Sequence, residues 1–474
     1  VFLIAQYFCC AVSVATHIEK SVQESTVDHL YFSIKRLAVV MAMLLLSPGV
    51  AFSLPESASL AQQLTEIKLQ MQRSQQSYEQ RVNALQLRLQ KVENNASEPA
   101  ATAANKGLHI GLTGLFATGV SNVDNTALEG LQGGAHDPNQ NGFTVQNVEL
   151  SIGGAVDPYF DAQANIIFLI DAEGETGLEL EEAFFLTRAL PWGLQVKGGQ
   201  FYTEFGRRNV KHPHAWDFVD QPVVLSRFFG GDGLRSQGAR ISWLMPTDWY
   251  SELYFGVQNP KGETVTSFLN AAGEDVGGHT LIDRDARRFG DLLYTARWLN
   301  GYDLSDTLSM NLGVSGLWGP NASGTATDTN IIGVDLYMKW QPATTQRGYP
   351  FVSWHTEVLQ RRYEALDVGD PNREILKDQG LFSQVLWGFK PGWVAGLRWE
   401  HASADGDTSA DALRDTRKRL SPNLTWRPTE YSKLRLQYNR DWAPHLQNQV
   451  GRKHADTLWL QLEFGIGSHA AHIF

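Results

Sequence analysis

From residue 107 onward, apolar and polar positions alternate with a period of two. Leu458, Leu460, Leu462 and Phe464 alternate with Thr457, Trp459, Gln461 and Glu463. Leu434, Leu436 and Tyr438 alternate in the same way with Lys433, Arg435, Gln437 and Asn439, and the pattern recurs over 308–314 and 332–340. Successive side chains of a strand point to opposite faces, so each segment is a strand with one apolar and one polar or Gly-bearing face. The segments reach roughly ten residues and their polar faces carry full charges, as the tilted spans of a membrane barrel do. After residue 107 no segment has the helical period needed to cover a soluble sheet. The pattern therefore predicts an all-β fold, an antiparallel transmembrane β-barrel of about sixteen strands over 108–474, enclosing an aqueous channel. Turn-like sequences at Val156-Asp157-Pro158, Met245-Pro246-Thr247-Asp248 and Lys390-Pro391-Gly392 suit the short connections, and 118–142, 202–236 and 259–291 suit long outer loops. Glu182 falls on the apolar parity of its segment, which predicts a bulge or a shift of register there.

Upstream the period changes to seven. Leu64, Met71, Tyr78, Leu85 and Val92 repeat as one seam position, with Ala61, Lys68, Gln75, Val82 and Leu89 as the other. This predicts a short periplasmic coiled-coil helix over 54–95, and the Asn-, Ala- and Ser-rich stretch 96–107 predicts a flexible linker to the barrel. Before it, Lys35-Arg36, the apolar run 37–46, the Ser47-Pro48-Gly49 break and Ala51-Phe52-Ser53 have the order of a secretory signal peptide. Residues 1–53 are accordingly expected to be an upstream segment plus signal peptide, with the mature chain starting near Leu54.

Composition narrows the chemistry. Forty Lys and Arg against 51 Asp and Glu give a formal charge of −11, without the concentrated basic face of a nucleic-acid binder. Both cysteines, Cys9 and Cys10, lie in the upstream segment, so 54–474 has no thiol for a disulfide, a thiolate metal site or a nucleophile. No nucleophile motif stands between a strand and a helix, so no catalytic residue and no enzymatic activity is assigned.

The segment from Tyr202 to Arg235 is the best candidate for a loop that narrows the channel. It carries Arg207, Arg208, Lys211 and Arg227 among Glu204, Asp217, Asp220 and Asp232. A basic cluster at a narrow neck concentrates anions. On the lumen parity of the strands, Lys197, Arg240, Arg398, Arg419 and Arg435 are further pore-lining candidates, facing acids such as Glu149, Glu179, Glu181 and Glu400. Acids gather in the early strands and bases in the late ones, which predicts a transverse field. His212-Pro213-His214 offers two imidazoles with no other ligand assigned, so no metal and no cofactor is expected.

The stretch from Val145 to about Trp243 resembles the phosphate-selective porin (O/P-type) family. The resemblance rests on the strand Val148-Glu149-Leu150-Ser151-Ile152, then Phe160-Asp161-Ala162-Gln163-Ala164-Asn165 and Leu180-Glu181-Glu182-Ala183-Phe184. Val196-Lys197-Gly198-Gly199-Gln200-Phe201 and Glu204-Phe205-Gly206 follow. It implies a trimeric diffusion channel with an inward-folded loop, in the outer membrane of a Gram-negative bacterium, passing small hydrophilic solutes or ions, and the basic neck adds the expectation of a weak preference for anions. Expected partners are outer-membrane lipids, the permeant solutes, further copies in a homotrimer and the outer-membrane insertion machinery acting through Phe474. Relatives ending in Ala-His-X-Phe, as this chain does at Ala471-His472-Ile473-Phe474, carry labels of zinc-regulated or TonB-dependent receptors. An uptake receptor for a metal or small ligand is therefore one alternative, although residues 54–107 are too short for its plug. A barrel hydrolase is another.

Overall fold

The computed structural model describes residues 107–467 apart from 132, 171–173, 367–372, 407 and 409. The expected signal peptide and coiled coil, the linker up to residue 106, and Phe474 lie outside the described residues. Sixteen antiparallel strands close into one barrel. They are β1 (His109–Ser121), β2 (Gly142–Ala155), β3 (Phe160–Ile170), β4 (Thr176–Thr187), β5 (Leu194–Tyr202), β6 (Arg235–Leu244) and β7 (Tyr250–Gln258), followed by β10 (Leu293–Ser305), β11 (Leu308–Pro320), β12 (Asp328–Trp340), β13 (Phe351–Ala365), β14 (Glu374–Lys390), β15 (Trp393–Ala404), β16 (Arg417–Thr429), β17 (Ser432–Trp442) and β18 (His454–Gly467). The missing numbers, β8 (Asp275–Val276) and β9 (His279–Thr280), form a two-stranded ribbon in the loop after β7. Each barrel strand pairs with its sequence neighbour, and β1 pairs with β18, Gly111 opposite Gly467, to close the ring.

Alternation sets the two faces. Leu458, Leu460 and Leu462 are 43%, 46% and 42% exposed, whereas Thr457, Trp459 and Gln461 between them are buried inside. An apolar surface turned outward over a whole wall is the reverse of a soluble barrel and matches a lipid-facing one. Trp243, Trp298, Trp340, Trp387, Trp399 and Trp426 also stand on the outer face. Two-residue turns such as 306–307, 391–392 and 430–431 join strands at one end, and the long connections 122–141, 203–234 and 259–292 lie at the other.

The bulge expected at Glu182 is present. The β3–β4 register shifts between Asn165 and Ile166, so that Asn165 faces Glu182 and Ile166 faces Leu180. Glu181 is the extra residue, and both carboxylates end up buried within the barrel.

The interior departs from the expectation of a simple aqueous channel. Three short helices, α1 (Asn125–Glu129), α2 (Val223–Phe229) and α3 (Leu446–Val450), belong to loops. Around α2, Val224, Leu225, Phe228 and Phe229 pack with Val265 and Phe268 against Leu293, Leu317, Ile331, Leu359 and Phe382 of the wall. A second apolar cluster joins Val123, Ala127, Leu128 and Leu131 to Val219, Leu446 and Trp459. Much of the inner surface near the long-loop end is thus dry packing, because several loops fold inward together.

The loop within the barrel and its acidic pocket

Residues 203–234 leave β5 and cross the lumen. Gly206 turns the chain at φ +60, a conformation that favours glycine, and a Cβ there would run into the Glu357 carboxylate. Its N–H donates to Ser315 Oγ on β11 at 3.1 Å, and the next two N–H groups, of Arg207 and Arg208, donate to Glu357 Oε1 on β13 at 2.9 and 2.7 Å. Three orphan donors are thereby satisfied by the far wall. The Arg207 guanidinium stacks over Tyr337 at 3.9 Å and that of Arg208 over Trp216 at 4.3 Å. Arg207 and Lys211 remain half-buried, while Arg208 is buried. Burial pulls the Arg208 guanidinium down to about 9, and it also lowers Lys211 below the ordinary ammonium range.

Further along, Asp220 is the loop's deepest anchor. It is fully buried and paired with Arg398 on β15 and with Arg419 on β16, the latter at 2.9 Å. Gln437 and Asn439 of β17 also donate to it, at 2.9 and 2.6 Å. Burial alone would raise its pKa, but the charges of Arg398 and Arg419 and these bonds hold it down at about 2. Asp137, from the β1–β2 loop, accepts from the N–H groups of Gln221 (2.8 Å) and Gly134 (2.9 Å). Burial and the nearby Asp220 charge push its carboxyl up to about 8.

These contacts redistribute the residues proposed from sequence to line the pore. Arg398, Arg419 and Arg435 point inward but lie beneath the loop, 0–1% exposed. Arg398 also pairs with Glu400 at 2.7 Å, Arg419 with Asp441 at 2.8 Å, and Arg435 donates to Gln461 at 2.6 Å and to the Trp216 carbonyl at 2.7 Å. They hold the loop against β15–β17 and do not meet the lumen. Arg227 donates to the carbonyls of Arg414 and Asp415, and Arg240 pairs with Glu204 at 3.3 Å. Among the candidates, Arg207 and Lys211 stay together on the loop with part of their surface accessible, and Lys197 lies 3.6 Å from Glu182. The early acids and late bases do occupy different sectors of the wall, but Asp220, Asp441 and Glu400 offset the bases locally.

His212-Pro213-His214 meets the acids of β2 and β4. His212 Nδ1 is 2.7 Å from Glu181 Oε2 and 3.5 Å from Glu149 Oε1, and its Nε2 is 2.9 Å from Glu182 Oε2. His214 Nδ1 lies 2.8 Å from Glu149 Oε2, and the Tyr202 hydroxyl donates to Glu181 Oε1 at 2.6 Å. Burial would pull the His212 imidazole down, but the charges of Glu149 and Glu181 outweigh it and hold it well above the usual imidazole range. Sequence reasoning placed the histidines and the acids separately and did not join them. The broken parity at Glu182 was the one signal of this pocket.

The chain is therefore a sixteen-stranded barrel of the porin type, with a loop folded into its interior. The outer membrane channel DcaP of Acinetobacter baumannii has this fold: it superposes over 76% of this chain and 96% of its own with a TM-score of 0.50, at 12% identity. The anion-selective porin of Comamonas acidovorans aligns over 76% of this chain and all of its own, with a TM-score of 0.47 and 10% identity. No family model matches the chain. An uncharacterized protein of Aquifex aeolicus (strain VF5) is 31% identical over 348 residues, 70% of each chain, and the chain belongs to one family with it.

Proposed function

We propose that the protein is an outer-membrane porin, related to the O/P type, through which small hydrophilic solutes or ions diffuse without chemical turnover. In this reading the signal peptide that ends residues 1–53 directs export, 54–95 form a periplasmic coiled coil, 96–107 tether it, and the barrel assembles as a homotrimer. The observation that carries the proposal is the course of residues 203–234 across the lumen, with the partly accessible cations of Arg207 and Lys211 on it. Charges at a narrow point are screened least, whereas the −11 formal charge is spread over surface that fades within about 10 Å at ~0.1 M salt. A weak anion preference follows.

Reversal potentials of the full-length protein in planar bilayers under a salt gradient test this. Arg207→Glu, which keeps the loop's backbone bonds to Glu357, is expected to erase or reverse the preference. Folded protein that gives no conductance overturns the porin reading, and unchanged selectivity in Arg207→Glu moves the selective point away from this loop.

A further inference from the structure

The pocket under His212 gathers three buried carboxylates around one imidazole, with His214 and Lys197 beside them. Glu149, Glu181 and Glu182 are 2%, 0% and 5% exposed, and Lys197 reaches Glu182 alone, at 3.6 Å. Ionised carboxylates stay buried when cations or metals compensate them. Three ligand-type atoms converge here: Glu149 Oε1, Glu181 Oε2 and His212 Nδ1 belong to a set whose members all lie within 4.8 Å of one another. Glu181 Oε2 and His212 Nδ1 are buried and 2.7 Å apart, yet neither has an aligned hydrogen bond.

The atoms pointing away from that centre have neighbours of their own. His212 Nε2 rests on Glu182 and Glu181 Oε1 accepts from the Tyr202 hydroxyl, while Glu149 Oε2 lies 2.8 Å from His214 Nδ1 without an aligned hydrogen bond. Such outer partners, above all a carboxylate on the far nitrogen of an imidazole, are what orient first ligands at metal centres. Pro213 stiffens the segment between the two histidines.

We propose that Glu149, Glu181 and His212 bind one divalent transition-metal ion of the zinc class, fastening the inward loop to β2 and β4. One imidazole and two carboxylates without thiolate suit such an ion, and three protein ligands leave one position for water. Metal–ligand bonds of about 2.0–2.2 Å require the ligand atoms to stand some 3.3 Å apart. The Glu149–His212 separation of 3.5 Å already fits, and the 2.7 Å Glu181–His212 approach opens slightly on binding.

Titration of the folded full-length protein in detergent with Co2+ is the test, read by visible absorption and by metal analysis, with Zn2+ as competitor. About one Co2+ per chain is expected, displaced by Zn2+. Glu181→Gln and His212→Gln should weaken binding at least ~100-fold, and Glu182→Gln, which meets His212 at its outer nitrogen, about 10–100-fold. Heat-modifiable gel mobility establishes folding of each variant. Folded wild type that binds no Co2+, or His212→Gln that binds as well as wild type, overturns the site. If the two ligand variants do not fold, unchanged affinity in Glu182→Gln overturns it instead. Conductance is measured separately, so failure of the channel reading leaves this result standing.

Discussion

At the scale of single residues, two carboxylates of the inward loops have opposite relations to pH. Asp220 is held at about 2 by Arg398 and Arg419, so its contribution to loop packing is present above its ordinary 3.8 and disappears as pH falls through about 2. Asp137 is raised to about 8, so its contribution is full below 3.8 and is lost as pH rises toward 8. Across pH 4–8 the loops of the wild type should therefore become more open to protease, while Asp137→Asn, uncharged throughout, should give a shallower profile, with the raised His212 imidazole left to titrate at the upper end. An unchanged slope in that variant would show that Asp137 does not titrate there. Asp220→Asn should have the larger effect. Two buried guanidinium groups lose a shared counter-ion, and breaking a buried pair costs about 3–5 kcal/mol. Cleavage within 203–234 of an otherwise intact barrel is the expected result, and a loop as resistant as wild type would refute it.

At the scale of elements, the wall was legible in the sequence and the loop's destination was not. Strands such as β12, β17 and β18 declare themselves because a period of two, repeated over a membrane-length segment, has few other physical explanations. The bulge of β4 was legible too, through the misplaced Glu182, since a side chain on the wrong parity must be met by an extra residue. The inward loop could be located as long and basic, but its partners could not be named: Asp220 meets residues 178 to 219 positions away, and no local pattern encodes that pairing. For the same reason Arg398, Arg419 and Arg435 read as lumen charges, whereas the structure buries them under the loop. Gly206 is where sequence and loop course meet. Gly206→Ala adds a Cβ at positive φ against Glu357, and both effects disfavour the turn. We expect this variant to keep its barrel, judged by heat-modifiable mobility, while its loop becomes cleavable. Wild-type resistance would show that the turn tolerates a side chain.

At the scale of the whole molecule, the porin reading proposed above puts stability and permeability in different parts. The wall is a continuous ring of sixteen antiparallel pairings with no free edge. The interior is a second structure built from loops, with α2 and its apolar neighbours packed on β10–β14 and Asp220 anchored on β15–β17. Sixteen strands alone enclose a wide aqueous lumen. Much of that width is occupied here, so the single-channel conductance should fall well below that of an open barrel of equal strand number. Replacing residues 207–232 by a short Gly-Ser linker should leave the wall closed, because none of its strand pairings involves those residues. Some inner apolar side chains, Leu317, Ile331, Leu359 and Phe382, then become wet, which lowers stability without opening the ring. The expected outcome is a folded, heat-modifiable protein whose conductance rises severalfold and whose selectivity no longer responds to Arg207. A truncated barrel that folds but conducts no better than wild type would place the narrowest point in the other long connections, 122–141 or 259–292, and not in the loop that crosses the lumen.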